Sequence, residues 1–146
     1  MLLQYKVLGE SYISTCMNIL RNPLQGRVWE GEDPFLSGEP ATGTIRGMQS
    51  EGMIACDNHY VINAIEDVRH NSSINKPKQV LWEIYLELFY KAVKKGDITS
   101  IIESNNPING TFMTKNKRLL QESLKDKISF DGFVMSDWLD NKFRFL

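Results

Sequence analysis

Short apolar runs alternate along this chain with longer stretches of helical spacing. That alternation constrains the fold more than any other feature, because it is the pattern of βα units laid on a parallel sheet. Cys16 to Leu20 (CMNIL), Met53 to Cys56 (MIAC), Ile98 to Ile102 and Gly132 to Ser136 (GFVMS) read as strands. Between them, Ser37 is placed to cap a helix that tolerates Pro40 in its first turn, runs to about Ser50 and is ended by Gly52. Gln79 to Lys95 sets Val80, Ile84, Leu88 and Ala92 on one stripe, with Lys94, Lys95 and Gly96 as its stop signal. Thr114 caps a further helix carrying Leu119, Leu120, Leu124 and Ile128. The fold class is α/β, in the order β, α, β, α, β, α, β.

A closed (β/α) barrel takes eight such units and about 250 residues, whereas 146 residues accommodate four. The pattern therefore fits either a small open sheet or an incomplete TIM-type barrel of about four parallel βα units, whose open edges invite self-association. Each strand is followed by a polar loop at its carboxyl end, where barrels and open sheets alike hold their ligands. Two longer loops, Arg21 to Leu36 and Tyr60 to Lys78, exceed what packing requires and are expected to be functional.

Composition narrows the classes further. Lys and Arg number 17 against 18 Asp and Glu, so the net charge of -1 offers no field to collect nucleic acid or anionic lipid. The two cysteines, Cys16 and Cys56, lack the spacing of a zinc or redox site and are expected to be buried thiols. No run approaches the length of a membrane span, and MLLQYKVLGE lacks the features of a secretory signal, which leaves the compartment open. Asn71 and Asn109 fit the glycosylation triplet and are expected to be silent. No glycine-rich phosphate loop follows the first strand, against a nucleotide-binding or response-regulator-like sheet.

Four loops carry more specific information: GRVWEGEDPFLSGE (26 to 39), IACDNHYVIN (54 to 63), SNNPINGT (104 to 111) and FDGFVMSDW (130 to 138). In this order and spacing the chain resembles glycoside hydrolase family 3, the family of many β-glucosidases, from about Leu8 to Trp138. The resemblance implies that residues 1–146 form part of the family's N-terminal barrel domain, without its upstream strands and second domain. It implies hydrolysis of terminal β-D-glucosidic bonds with retention, no metal or organic cofactor, and a small saccharide or β-glucoside as partner. Full-length relatives are often secreted. Asp137 matches the catalytic nucleophile. Such an enzyme needs one carboxylate to attack the anomeric carbon and a second carboxyl group, about 5 to 5.5 Å away, to protonate the leaving oxygen. Arg27 matches the arginine that hydrogen-bonds sugar hydroxyls, His59 the histidine of a lysine–histidine pair on the glucose, and Trp138 the aromatic beside the nucleophile, where a ring can stack on a sugar face.

The departures fall on the same loops. Asn58, the remaining candidate sugar contact, stands where the family has the lysine. Ile62 and Ala64 replace a glycine and an acid, Asn105 replaces a tyrosine, and the first block is about two residues short. Glu30, Glu66 and Asp140 are the carboxylates nearest the matched blocks, and nothing assigns any of them the acid role. General acid catalysis contributes about 10² to 10⁴ in rate, so strong activity is not expected from this chain alone. The alternative is a non-catalytic remnant that binds saccharide or a partner chain.

Overall fold

A computed structural model of the protein describes residues 33–63 and 69–137. Helix α1, Pro34–Ser50, starts earlier than Ser37 because Asp33 caps it, its Oδ1 accepting from Phe35 N at 2.7 Å and Leu36 N at 3.2 Å. Pro34 then occupies the first helical position, where a missing amide proton costs nothing. Ser37 lies buried inside the helix and Pro40 in its interior. Gly52, at φ 77, makes the turn that follows.

Strand β1 is Cys56–Tyr60, displaced toward the polar side of the expected Met53 to Cys56. The apolar run leads into the strand, and the strand itself reads CDNHY. β2, Ser100–Glu103, and β5, Phe133–Ser136, fall within a residue or two of their expected positions. Both neighbours of β2 run parallel to it, giving the order β1-β2-β5. Every residue of β2 is buried, as in a parallel sheet covered on both faces. The expected strand at Cys16 to Leu20 lies outside the described residues.

Between β1 and β2 the chain forms a continuous helical rod: α2, Lys78–Val80, a wider π-helical turn at Leu81–Tyr85, and α3, Leu86–Lys94. A π-turn inserts extra residue per turn and rotates the apolar stripe. Accordingly Leu81, Tyr85, Leu88, Phe89 and Ala92 are buried, whereas Ile84, on the expected stripe, is exposed. Met113–Lys115 is a 3-10 turn, so Thr114 caps nothing; Asn116 Oδ1 accepts from Leu119 N at 3.1 Å before the π-helix Arg118–Lys127. The loop after β2 contains a hairpin that the strand pattern passed over although Asn109–Gly110 is a favoured two-residue turn: β3, Pro107–Ile108, pairs with β4, Thr111–Phe112. Ile108 also bridges Ile74 of the long loop after β1. No helix of the described residues is long and apolar enough to cross a membrane.

Tyr60 ties sheet to helices at the edge of the site. It is fully buried, its ring meets Phe89 edge-on at 4.9 Å, and its hydroxyl donates to Leu119 O at 2.9 Å. Burial holds the phenol well above its usual range. The native chain thus keeps a proton that the unfolded chain releases near pH 10, so stability falls as pH rises above about 10. Tyr60→Phe is expected to cost about 1 kcal/mol at neutral pH, by denaturant titration, and to soften the alkaline decline. An unchanged alkaline slope would assign the decline to other groups.

Candidate active site

The carboxyl ends of the three parallel strands bring polar side chains together. Asp137 directly follows β5 and is nine-tenths buried. Arg69, on the turn that follows the 64–68 stretch, donates from Nη1 to Asp137 Oδ2 at 2.8 Å. His59 Nε2 lies 3.3 Å from the same oxygen. A rigid guanidinium fork and an imidazole converging on one carboxylate offset the cost of burying that charge and fix its position.

Local backbone irregularity accounts for the reach of His59. Asn58 pairs with Ile102 and Tyr60 with Glu103, so His59 is the extra residue of a bulge in β1. Bulges re-aim side chains in this way beside functional sites. Just beyond, Ile62 takes φ 62 while buried. A β-branched residue pays about 1–2 kcal/mol in that left-handed conformation, which a glycine adopts freely. Ser104 Oγ donates to Val61 O at 3.1 Å and locks the end of β2 to this turn.

Around the Asp137 centre the interior is polar. Asn58, Asn63, Asn105 and Asn106 are buried at the strand ends, together with the acids Asp57 and Glu103. Asn58 Oδ1 and both side-chain atoms of Asn105 and Asn106 find no hydrogen-bond partner among the described residues. No group of three or more His, Cys, Asp or Glu among the described residues is arranged to hold a metal ion.

Residues 15–144 match the model of the glycosyl hydrolase family 3 N-terminal domain. The chain belongs to glycosyl hydrolase family 3. This family 3 chain is 44% identical over 118 residues to probable β-glucosidase L of Aspergillus terreus, covering 80% of its own length and 16% of the relative's. It is 41% identical over 123 residues to a β-glucosidase of Kluyveromyces marxianus, covering 83% and 15%. It superposes on β-glucosidase 3B of Thermotoga neapolitana in complex with glucose with a TM-score of 0.75, at 43% identity, covering 86% of this chain and 18% of that one. For DesR of Streptomyces venezuelae in complex with D-glucose the TM-score is 0.78 at 33% identity, with 92% and 18% covered. The chain spans about a sixth of the length of the curated relatives it matches.

Of the five residues singled out in this family 3 sequence, Asp137 and His59 are in contact and Asn58 is their buried neighbour. Arg27 and Trp138 lie outside the described residues, as do Glu30, Glu66 and Asp140. Arg69 escaped the reading by motif because it falls past the end of the matched block IACDNHYVIN. The length of the Tyr60 to Lys78 loop was the one signal that pointed to it. Cys56 is a buried thiol whose Sγ accepts from Ser100 Oγ at 3.0 Å; Cys16 is outside the described residues.

Proposed function

We propose that this chain contributes the nucleophile and part of the sugar cradle of a retaining β-glucosidase, within a partial (β/α) barrel. The observation that carries the proposal is the convergence of Arg69 and His59 on Asp137 at the carboxyl end of a parallel strand. Asp137 attacks the anomeric carbon and forms an ester bond to it, while the bond to the aglycone oxygen breaks and that oxygen takes a proton from a general acid. Water, deprotonated by the same group, then attacks the anomeric carbon and releases Asp137 and the sugar. Arg69 and His59 hold the carboxylate in place; His59 and Asn58, with Arg27 and Trp138 as the family resemblance implies, hold the sugar. The described residues assign no general acid, and a site without one turns over unactivated glucosides about 10² to 10⁴ slower than a complete site.

The neutral amide of Asn58 at the position of a family lysine favours a second reading, a saccharide binder without turnover. A thermal melt followed by near-UV CD tests the shared premise. Glucose at 100 times its Kd adds about 2.7 kcal/mol to the native state, raising the midpoint by several degrees. A melt indifferent to a large excess of glucose overturns both readings; a shift without release of nitrophenol from an aryl glucoside selects the second.

A further inference from the structure

Arg69 reaches Asp137 from a long loop, and ordering such a loop costs conformational entropy that contacts elsewhere must offset. Those contacts lie on the β3–β4 hairpin. Ile74 N donates to Pro107 O at 2.9 Å, and Asn109 N donates to Ile74 O at 3.0 Å. Gly110 N donates to Ser73 Oγ at 2.8 Å. The side chain of Asn109 completes the set: its Oδ1 accepts from Lys76 N at 2.9 Å and its Nδ2 donates to Lys76 O at 3.1 Å. One carboxamide thus meets both backbone groups of Lys76, as the peptide groups of a neighbouring strand would. The turn permits this, because Asn109 at φ 49 and Gly110 at φ 81 hold the left-handed conformation that an Asn–Gly hairpin takes.

A short tether joins this clamp to the carboxylate. Ser73 follows Arg69 by four residues, at most about 14 Å of chain, and the guanidinium at the far end donates to Asp137 Oδ2 at 2.8 Å. Both residues of β4 are exposed, so the outer strand of the hairpin is not kept for burial. We propose that Asn109 is a positioning residue for the Asp137 centre: by clamping residues 73–76 to the hairpin, it fixes where the Arg69 guanidinium meets the carboxylate. Its effect on turnover rests on the reading of Asp137 as the nucleophile of a glycosidase.

The test is Asn109→Gly in the 146-residue chain, which keeps the turn and removes only the carboxamide. Ser73→Ala, which removes the acceptor of Gly110 N, repeats it from the loop side. The first readout is solvent exchange of the Arg69 guanidinium protons, followed by NMR with isotope-labelled arginine, the signal being identified by its loss in Arg69→Met. Exchange is expected to be about tenfold faster in either clamp variant and unchanged in Thr111→Ala, on the exposed strand. The second readout is turnover of 4-nitrophenyl β-glucoside, expected to fall about tenfold in Asn109→Gly. With Arg69 already replaced by Met, the same change should cost less than about twofold, because a residue acting through Arg69 then has nothing left to position. Unchanged Arg69 exchange in both clamp variants, or equal losses of turnover with and without Arg69, overturns the assignment. Faster exchange in a chain whose parent releases no nitrophenol upholds the clamp on Arg69 and removes the glycosidase reading alone.

Discussion

Asp137→Asn is expected to lower turnover of 4-nitrophenyl β-glucoside by at least about 10³, since under the proposed mechanism it removes the covalent nucleophile and leaves only binding and electrostatic assistance. The aryl substrate is the right probe because nitrophenolate departs without a proton, which makes the readout independent of a general acid. The asparagine keeps the shape of the side chain and its place beside Arg69 Nη1 and His59 Nε2. Asp137→Ala is expected to do more. It removes the anion 2.8 Å from a guanidinium that is itself buried, and breaking such a pair costs about 3–5 kcal/mol. The two variants therefore separate chemistry from stability: both abolish turnover, and the alanine variant alone melts much earlier. Turnover unchanged in Asp137→Asn would place the activity on another residue.

Gly132→Ala is the largest effect expected away from the reacting group. A Cβ at Gly132 would collide with the carbonyl oxygen of Thr99 and with the Phe130 ring edge, 2.7 Å away. Backbone cannot yield as a flexible side chain can. Phe133 N donates to Thr99 O at 3.2 Å, so the collision falls where β5 first meets β2. Overpacking of this kind costs about 1–3 kcal/mol, and here it also shifts the strand that ends at Asp137. Gly38→Ala is the control: its Cβ would meet the aliphatic part of Lys91, which can move aside. Denaturant titration should show a clear loss for Gly132→Ala and a smaller one for Gly38→Ala. Equal losses would mean that β5 tolerates displacement from β2.

The α/β class and the strands β2 and β5 were legible because apolar runs and helical spacing are set by burial, and burial decides the fold. What the sequence hid has physical causes. β1 reads as polar because three of its five residues, Asp57, Asn58 and His59, are polar although all but His59 are buried, so hydrophobicity points to the residues just before it. The stripe on the rod from Lys78 to Lys94 was mis-phased by a π-turn that no propensity marks. Asp33 outcompeted Ser37 as a cap through its two amide bonds and the proline after it. Asp137 and His59 stand out through their motifs and are in contact in the structure, whereas Arg69, which also meets Asp137, comes from a loop whose course no local pattern dictates. The bulge at His59 is likewise a matter of pairing between distant strands.

The hairpin between β3 and β4 bears on how the molecule ages. Asn–Gly is the dipeptide most prone to spontaneous deamidation, in which the glycine nitrogen attacks the asparagine side-chain carbonyl and expels ammonia. At Asn109–Gly110 both participants are held. The carboxamide of Asn109 accepts from Lys76 N at 2.9 Å and donates to Lys76 O at 3.1 Å, while Gly110 N donates to Ser73 Oγ at 2.8 Å. The cyclic imide would require the side chain to swing away from Lys76 and the nitrogen to leave Ser73. Folding therefore protects a bond that is labile in the extended chain, and the chemical lifetime of this loop is set by how often the hairpin opens.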